Sequence, residues 1–196
     1  MRVLVLYAHP LADSFHAALH RTVVDRLTAA GHEVDDCDLY QEGFDPVLSA
    51  EERRRYFEPE QARDRVQPYI DRLFAAQGLV FCFPVWCYGQ PAILKGFMDR
   101  IMIPGVSFRL EADGAVRPNL DHIRALTVVA TYGRSRWEAL YFADPPRMTM
   151  TRYFRWFLAR DARVAYLAQY NLHKVSGPRL QHFHDRVARH MDAFGD

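Results

Sequence analysis

The sequence predicts an open α/β sheet of five parallel strands in the order 2-1-3-4-5, with helices on both faces. Three observations lead there. Five short runs rich in valine, isoleucine and leucine recur along the chain, amphipathic helical patterns separate them, and glycine or proline marks most of the boundaries. Strands that alternate with helices pair in parallel through right-handed crossovers, and five of them suit a doubly wound sheet. At 196 residues the chain is long enough to bury a full core, and we expect one domain over residues 1–196 with a single excursion.

Arg2–Tyr7 is a Val/Leu run suited to a strand covered on both faces. Phe15, Leu19, Val23 and Leu27 then recur every four residues, which predicts a helix capped by Asp13 or Ser14 and ended at Gly31. Glu33–Leu39 is the second strand. The stretch Gln41–Arg65 is polar and interrupted by Pro46 and Pro59, so it reads as an excursion with short helices at most. Pro68–Ala76 is helical, Gly78 punctuates, and Leu79–Phe83 is the third strand. A helix over Pro91–Met102 carries Ile93, Leu94, Phe97 and Ile101 on one side, with Lys95 and Gly96 read as structural. Arg109–Arg117 predicts a small hairpin turning at Asp113-Gly114. Leu126–Thr131 is the fourth strand, Pro145–Leu158 a helix after its double proline, Arg163–Ala168 the fifth strand and Gly177–Met191 the closing helix.

Bulk properties exclude several function classes. A net charge of +1 argues against a dedicated nucleic-acid binder. The three cysteines, Cys37, Cys82 and Cys87, fit neither a zinc spacing nor a disulfide framework, so no metal site is expected. They read as reduced thiols, which predicts a cytoplasmic location. The apolar run Val3–Ala8 is too short for a signal peptide or a membrane span, and nothing later in the chain reaches membrane length.

Ligands of such sheets sit outside the carboxyl ends of the strands, where strand order reverses. The loops that matter therefore follow strands one, three and four: His9–Ser14, Pro84–Gly89 and Thr131–Arg136. In the first, the start of a helix offers unpaired backbone N–H groups, Ser14 adds a hydroxyl and His9 a ring N–H, a set suited to phosphate. The same residues equally describe a capped helix beside a histidine bonded to backbone. The second loop crowds Trp86 and Tyr88 between Pro84 and Gly89. Aromatics at a strand end usually join the core, but prolines on both sides stiffen this loop. A flat heteroaromatic with a phosphate tail, such as a flavin, would use both loops at once.

The segments "YAHPLADSF" and "FPVWCYGQPAILKGFMDRI" closely resemble the flavodoxin-like NAD(P)H:quinone oxidoreductases. The resemblance covers roughly the whole chain, is specific in these two segments and is looser after Thr131. It implies a dimeric flavoprotein carrying FAD, with FMN as the alternative, that passes a hydride from NAD(P)H through the flavin to a quinone or another electrophile. It also implies that His9, Ser14 and Phe15 hold the flavin's phosphate region. Pro84, Val85, Trp86, Cys87 and Tyr88 would lie along the ring system, and Thr131, Tyr132, Gly133 and Arg134 would bond its pyrimidine side. Arg179 is the match for a basic residue that reaches the adenylate of FAD.

Two departures from the family pattern matter. Trp86-Cys87 stands where many relatives have two aromatics, and Cys87 reads as a small buried group. "TYGRSRWEALYFADPPR" has one glycine where many relatives have two, and lacks the histidine that assists hydride transfer, which leaves Tyr132 as the catalytic candidate for handling the proton. The stretch Arg134–Arg163 holds seven arginines against Glu138, Asp144 and Asp161. Most suit a solvated face, with Arg134 and Arg136 assigned to the phosphates of NAD(P)H. Aromatic surface at Phe44, Tyr56, Phe57 and Trp137–Phe142 predicts a homodimer. The alternatives are a non-catalytic regulatory flavoprotein subunit bound to a membrane transporter, and a flavodoxin-type electron carrier. The carrier is disfavoured because carriers dock through acidic faces.

Overall fold

The computed structural model describes residues 1–58 and 65–195. Its strands are β1 (Arg2–Tyr7), β2 (Glu33–Asp38), β3 (Gly78–Val85), the short pair β4 (Phe108–Leu110) and β5 (Val116–Pro118), β6 (Ala125–Tyr132) and β7 (Arg163–Gln169). Five of them form one parallel sheet in the order β2-β1-β3-β6-β7. Counted without the hairpin, this is the predicted 2-1-3-4-5. Residues of β3 and β6 are buried almost without exception, because helices cover both faces and no alternation is required.

Among the described residues the helices are α1 (Phe15–Ala29), α2 (Ala50–Arg54), α3 (Gln67–Ala75), α4 (Ala92–Ile101), α5 (Arg136–Tyr141) and α6 (Pro145–Met148), which both follow β6, and α7 (Gly177–Asp192). Leu19, Val23 and Leu27 of α1 join Phe183, Val187 and Met191 of α7 on one face. Ile70 and Leu73 of α3, Leu94, Phe97 and Ile101 of α4, and Phe154 and Phe157 fill the other. Ser14 caps α1 by accepting from the Ala17 N–H, and Gly31 at φ +83° follows its end.

Two local features differ from the sequence reading, and the hairpin agrees with it. Helix α5 was not expected, yet it opens with the reciprocal pair Ser135/Glu138, as α2 does with Ser49/Glu52. Both carry the S-x-x-E signature of a capping box. The helix expected over Pro145–Leu158 breaks up after α6 into a π-turn at Thr149–Tyr153 and a 3-10 turn at Phe154–Phe157. Thr149 and Thr151 donate their hydroxyls to the carbonyls of Pro145 and Arg147, four residues back, where the regular ladder gives way. The hairpin forms as β4 and β5, with Gly114 at φ +81° in its turn.

The described part of the excursion folds back over α4. Pro46 presses on Gly96 so closely that a Cβ there would lie 2.2 Å from the Pro46 carbonyl oxygen. Arg100 is buried, donates from Nε to Glu52 at 3.0 Å and stacks over Phe44. Phe44 is therefore core, against Tyr69 and Phe97, and the expectation that it supplies dimer surface is corrected. Its ring has the Arg100 side chain above it and two aromatic edges beside it. Phe57 is exposed, and Pro59 lies outside the described residues. The substitution Gly96→Ala should lower stability by about 1–3 kcal/mol through this clash. Denaturant unfolding checks it, and a variant as stable as the parent would show that the excursion does not rest on α4.

Candidate functional site

Four of the loops that leave the sheet at its carboxyl edge, those after β1, β3, β6 and β7, surround the site. In the first, the Leu11 N–H donates to His9 Nδ1 at 3.0 Å, so the neutral ring carries its proton on Nε2. Ser14 Oγ lies 3.2 Å from the same Nδ1 and accepts from the Ala17 N–H at 3.0 Å. The Phe15 and His16 amides at the start of α1 find no acceptor among the described residues. Burial lowers the His9 pKa, keeping the ring a neutral donor. Beneath it, His16 Nδ1 lies 3.3 Å from Thr131 Oγ1, and the ring stacks with those of Tyr7 and His9. Burial pulls the His16 pKa down to about 3.

The second loop is a tight reversal. Trp86 and Gly89 exchange two backbone hydrogen bonds, of 3.1 and 2.8 Å, across Cys87 and Tyr88. Both central residues sit in the left-handed region, at φ +50° and +56°. Each such residue costs on the order of 1–3 kcal/mol, so the surrounding loop holds them there. The turn throws Cys87 outward: its side chain is exposed, which corrects the expectation of a small buried group. Tyr88 turns back to pack on Phe142 at 4.6 Å between ring centroids. Trp86 reaches toward the first loop, 5.9 Å from the His9 ring.

Behind the third loop stands Tyr132, at the end of β6 and fully buried. Its hydroxyl donates to Asp144 at 2.6 Å and lies 2.6 Å from the Tyr166 hydroxyl. Tyr170 donates to the other Asp144 oxygen at 3.3 Å. Burial drives the Tyr132 phenol far above its ordinary range, so it keeps its proton, and the hydroxyl is committed to Asp144. Asp144 is itself buried and held at φ +41°, with its amide donating to the Ala139 carbonyl.

A cavity of about 460 Å³ opens between these loops. Val85, Cys87, Tyr88, Tyr132, Gly133 and Arg134 line it, as the sequence reading groups them. Thr131 and Pro84 are buried just behind, and His9, Ser14 and Phe15 stand at the mouth of α1. Arg179 sits exposed at the start of α7 and does not line the cavity. Arg136 heads α5, outside it.

The fourth loop, after β7, adds two lining residues the sequence reading missed, His173 and Lys174. The His173 ring packs so near Gly133 that a Cβ there would meet Nε2 at 3.1 Å. The Asn171 N–H donates to the Arg134 carbonyl at 2.9 Å, which ties the two loops together. Only adjacency of β6 and β7 brings these residues in, and the basic pair directly after the fifth strand was the available signal.

Because His16 is buried neutral, the unfolded chain, with histidine near 6.5, binds a proton that the folded chain refuses between about pH 6.5 and pH 3. Stability should therefore fall as pH drops through that window, by up to about 1.4 kcal/mol per pH unit for one group. Thermal melts across the range should show a shallower slope in a His16→Asn variant. An unchanged slope would assign the acid sensitivity to other groups.

The geometry agrees with comparisons to other proteins. A family model described as flavodoxin-like fold, Flavodoxin_2, matches residues 1–190. The uncharacterized NAD(P)H oxidoreductase YcaK of Escherichia coli is 28% identical over 147 residues, 73% of this chain and 65% of that protein. NAD(P)H dehydrogenase (quinone) 1 of Rattus norvegicus is 30% identical over 125 residues, 55% of this chain and 45% of that one. The match thus spans between 45% and 65% of the length of these two relatives. Among solved structures, Smu.1420 of Streptococcus mutans superposes with a TM-score of 0.82 at 26% identity, covering 98% of this chain and all of that one. The NAD(P)H:quinone oxidoreductase of Methanothermobacter marburgensis shares the fold, with a TM-score of 0.80 at 22% identity over 98% of each chain. Matched from residue 1 to residue 190, and with the strand order of that architecture, the chain belongs to the flavodoxin-like family Flavodoxin_2.

Proposed function

We propose that the protein is a flavin-dependent NAD(P)H oxidoreductase that reduces quinones or similar flat electrophiles. One observation carries this reading. An anion seat at the mouth of α1 and a flat-walled cavity of about 460 Å³ stand side by side, joined where His9 meets Trp86. A flavin fits that pair: the free Phe15 and His16 amides and the His9 Nε2–H suit its phosphate. Val85, Cys87 and Tyr88 on one loop and Tyr132, Gly133 and Arg134 on the other would hold its ring system. When bound, the flavin supplies the two-electron chemistry, taking a hydride from the nicotinamide and returning it to the acceptor.

The chain's own residues bind, orient and balance charge. Tyr88, packed at a tilt against Phe142, and Tyr132, pinned by Asp144, form walls against which a planar ring gains about 0.5–1.5 kcal/mol per aromatic contact beyond area terms. The Gly133 amide and the Arg134 guanidinium, both on the cavity lining, would hold the ring's polar edge and offset negative charge there. In the whole reaction NAD(P)H gives up a hydride and becomes NAD(P)⁺. The quinone takes that hydride equivalent and one proton and becomes the hydroquinone. Tyr132 serves here as a positioning residue, since its hydroxyl is committed to Asp144, and the open cavity lets solvent deliver the proton. FAD rather than FMN rests on Arg179 alone, and mass spectrometry of released cofactor distinguishes them.

Purified protein should turn yellow on flavin titration and oxidise NAD(P)H when quinone is added. Because one cavity serves both substrates in turn, varying them together should give parallel lines. Intersecting lines, or no flavin uptake, would defeat the reading. Trp86→Ala should lower kcat/KM for quinone, whereas Cys87→Ser should change it little.

The same proposal includes a homodimer. Trp137, Tyr141 and Phe142 are 81%, 85% and 51% exposed beside the cavity, an apolar surface of the kind that marks a partner contact. Light scattering at micromolar concentration should give twice the chain mass. A monomer would leave the aromatics to another use.

A further inference from the structure

We infer that the preferred electron acceptor is a flat aromatic that carries an anionic substituent, such as a carboxylate or sulfonate, bound by Lys174 and Arg134. This rests on the oxidoreductase reading above and names its substrate class. Among the described residues, Arg134 and Lys174 are the charged side chains that line the cavity, with the His173 imidazole beside Gly133, and no carboxylate lines it. The chain as a whole is nearly neutral, at +1, so a one-signed cavity is not a by-product of composition.

The cationic rim is built rather than incidental. Asn171 adopts φ +57° and donates to the Arg134 carbonyl, and the Lys174 N–H donates in turn to the Asn171 carbonyl at 2.8 Å. Gly133 leaves the space that lets His173 settle between them. Two acids stand nearby. Glu138 reaches Arg134 at 3.6 Å, but one of its oxygens accepts from the Ser135 N–H at 3.0 Å in the α5 cap. Asp144 is buried behind Tyr132, where phenols occupy both its oxygens. The other Glu138 oxygen acts on Arg134 and, through space, on Lys174 from outside the cavity, and neither acid is among the residues that line it.

Three anions could use such a rim. The flavin phosphate has its own seat at α1. The 2′-phosphate of NADPH hangs far from the nicotinamide ring, whereas these cations line the compartment in which a ring would stack. A charged group directly on a compact acceptor is the one that reaches them while its ring lies against Tyr88 and Tyr132. Negative charge developing on the flavin would also be stabilised there, but that effect acts equally on every acceptor.

The ratio between matched acceptors isolates the claim. Steady-state kcat/KM is measured on the flavin-loaded protein for two naphthoquinones that differ only in bearing a sulfonate or an uncharged sulfonamide. The sulfonate should be favoured, and exchanging Lys174→Gln should lower that preference by about threefold, the scale of an exposed charge contact. Salt should erode it, since screening acts over about 10 Å at 0.1 M. The preference should be the same with NADH as with NADPH. Equal rates for both quinones, a ratio unmoved by Lys174→Gln, or a charge effect that appears only with NADPH would each overturn the inference. No reduction of either quinone would instead overturn the oxidoreductase reading itself. As a direct readout, isothermal titration of the oxidised holoprotein with naphthalene sulfonate, a redox-inert ring, should show binding that Lys174→Gln weakens.

Discussion

The eight-position parallel pairing of β3 with β6, from Gly78 opposite Ala125 to Val85 opposite Tyr132, is the constraint on which the rest depends. It brings two almost completely buried strands to a common finishing level, so the loops that follow face each other across one gap. β1 joins the same edge through its register with β3, and its loop hands the chain to α1. Every group in the candidate site stands where it does because these strand ends are fixed. A sheet covered on both faces can hold them so, because a shift of register would drag apolar side chains past well-packed helices on either side.

Most of this plan was legible in the sequence because buried parallel strands announce themselves as unbroken apolar runs. The two loops with the most specific wording, around His9 and around Trp86, also proved to be neighbours. What stayed hidden was contact between distant parts of the chain. His173 and Lys174 enter through the adjacency of β6 and β7, which strand order implies but local pattern does not emphasise. Phe44 looked like surplus surface because nothing in residues 41–58 reveals that Pro46 will settle on Gly96. The outward turn of Cys87 depends on two consecutive left-handed residues, a conformation that neither cysteine nor tyrosine favours. Helix α5, by contrast, was readable: its S-x-x-E start is in the sequence.

Asp144 illustrates how a site can be stiffened from behind. A buried carboxylate needs donors, and here three tyrosines form its surroundings, two of them donating to it directly. The hydrogen bonds therefore serve two ends at once. They satisfy the carboxylate, and they freeze the Tyr132 ring, whose face forms a cavity wall. Phe142 and Tyr88 are drawn into the same arrangement, because the left-handed backbone at Ala143 and Asp144 sets where Phe142 points. The strained turn and the buried carboxylate thus support each other across the cavity.

The ion pair between Arg100 and Glu52 shapes how the molecule breathes. The two residues are 48 positions apart, and the guanidinium also donates to the Asp45 carbonyl. Separating such a pair strands a charge in an apolar interior, so a partly lifted excursion has no comfortable intermediate. The segment from Phe44 to Glu52 must leave α4 together or not at all. In native-state hydrogen exchange its protected amides would then open as one cooperative unit, at a free energy below that of the central strands.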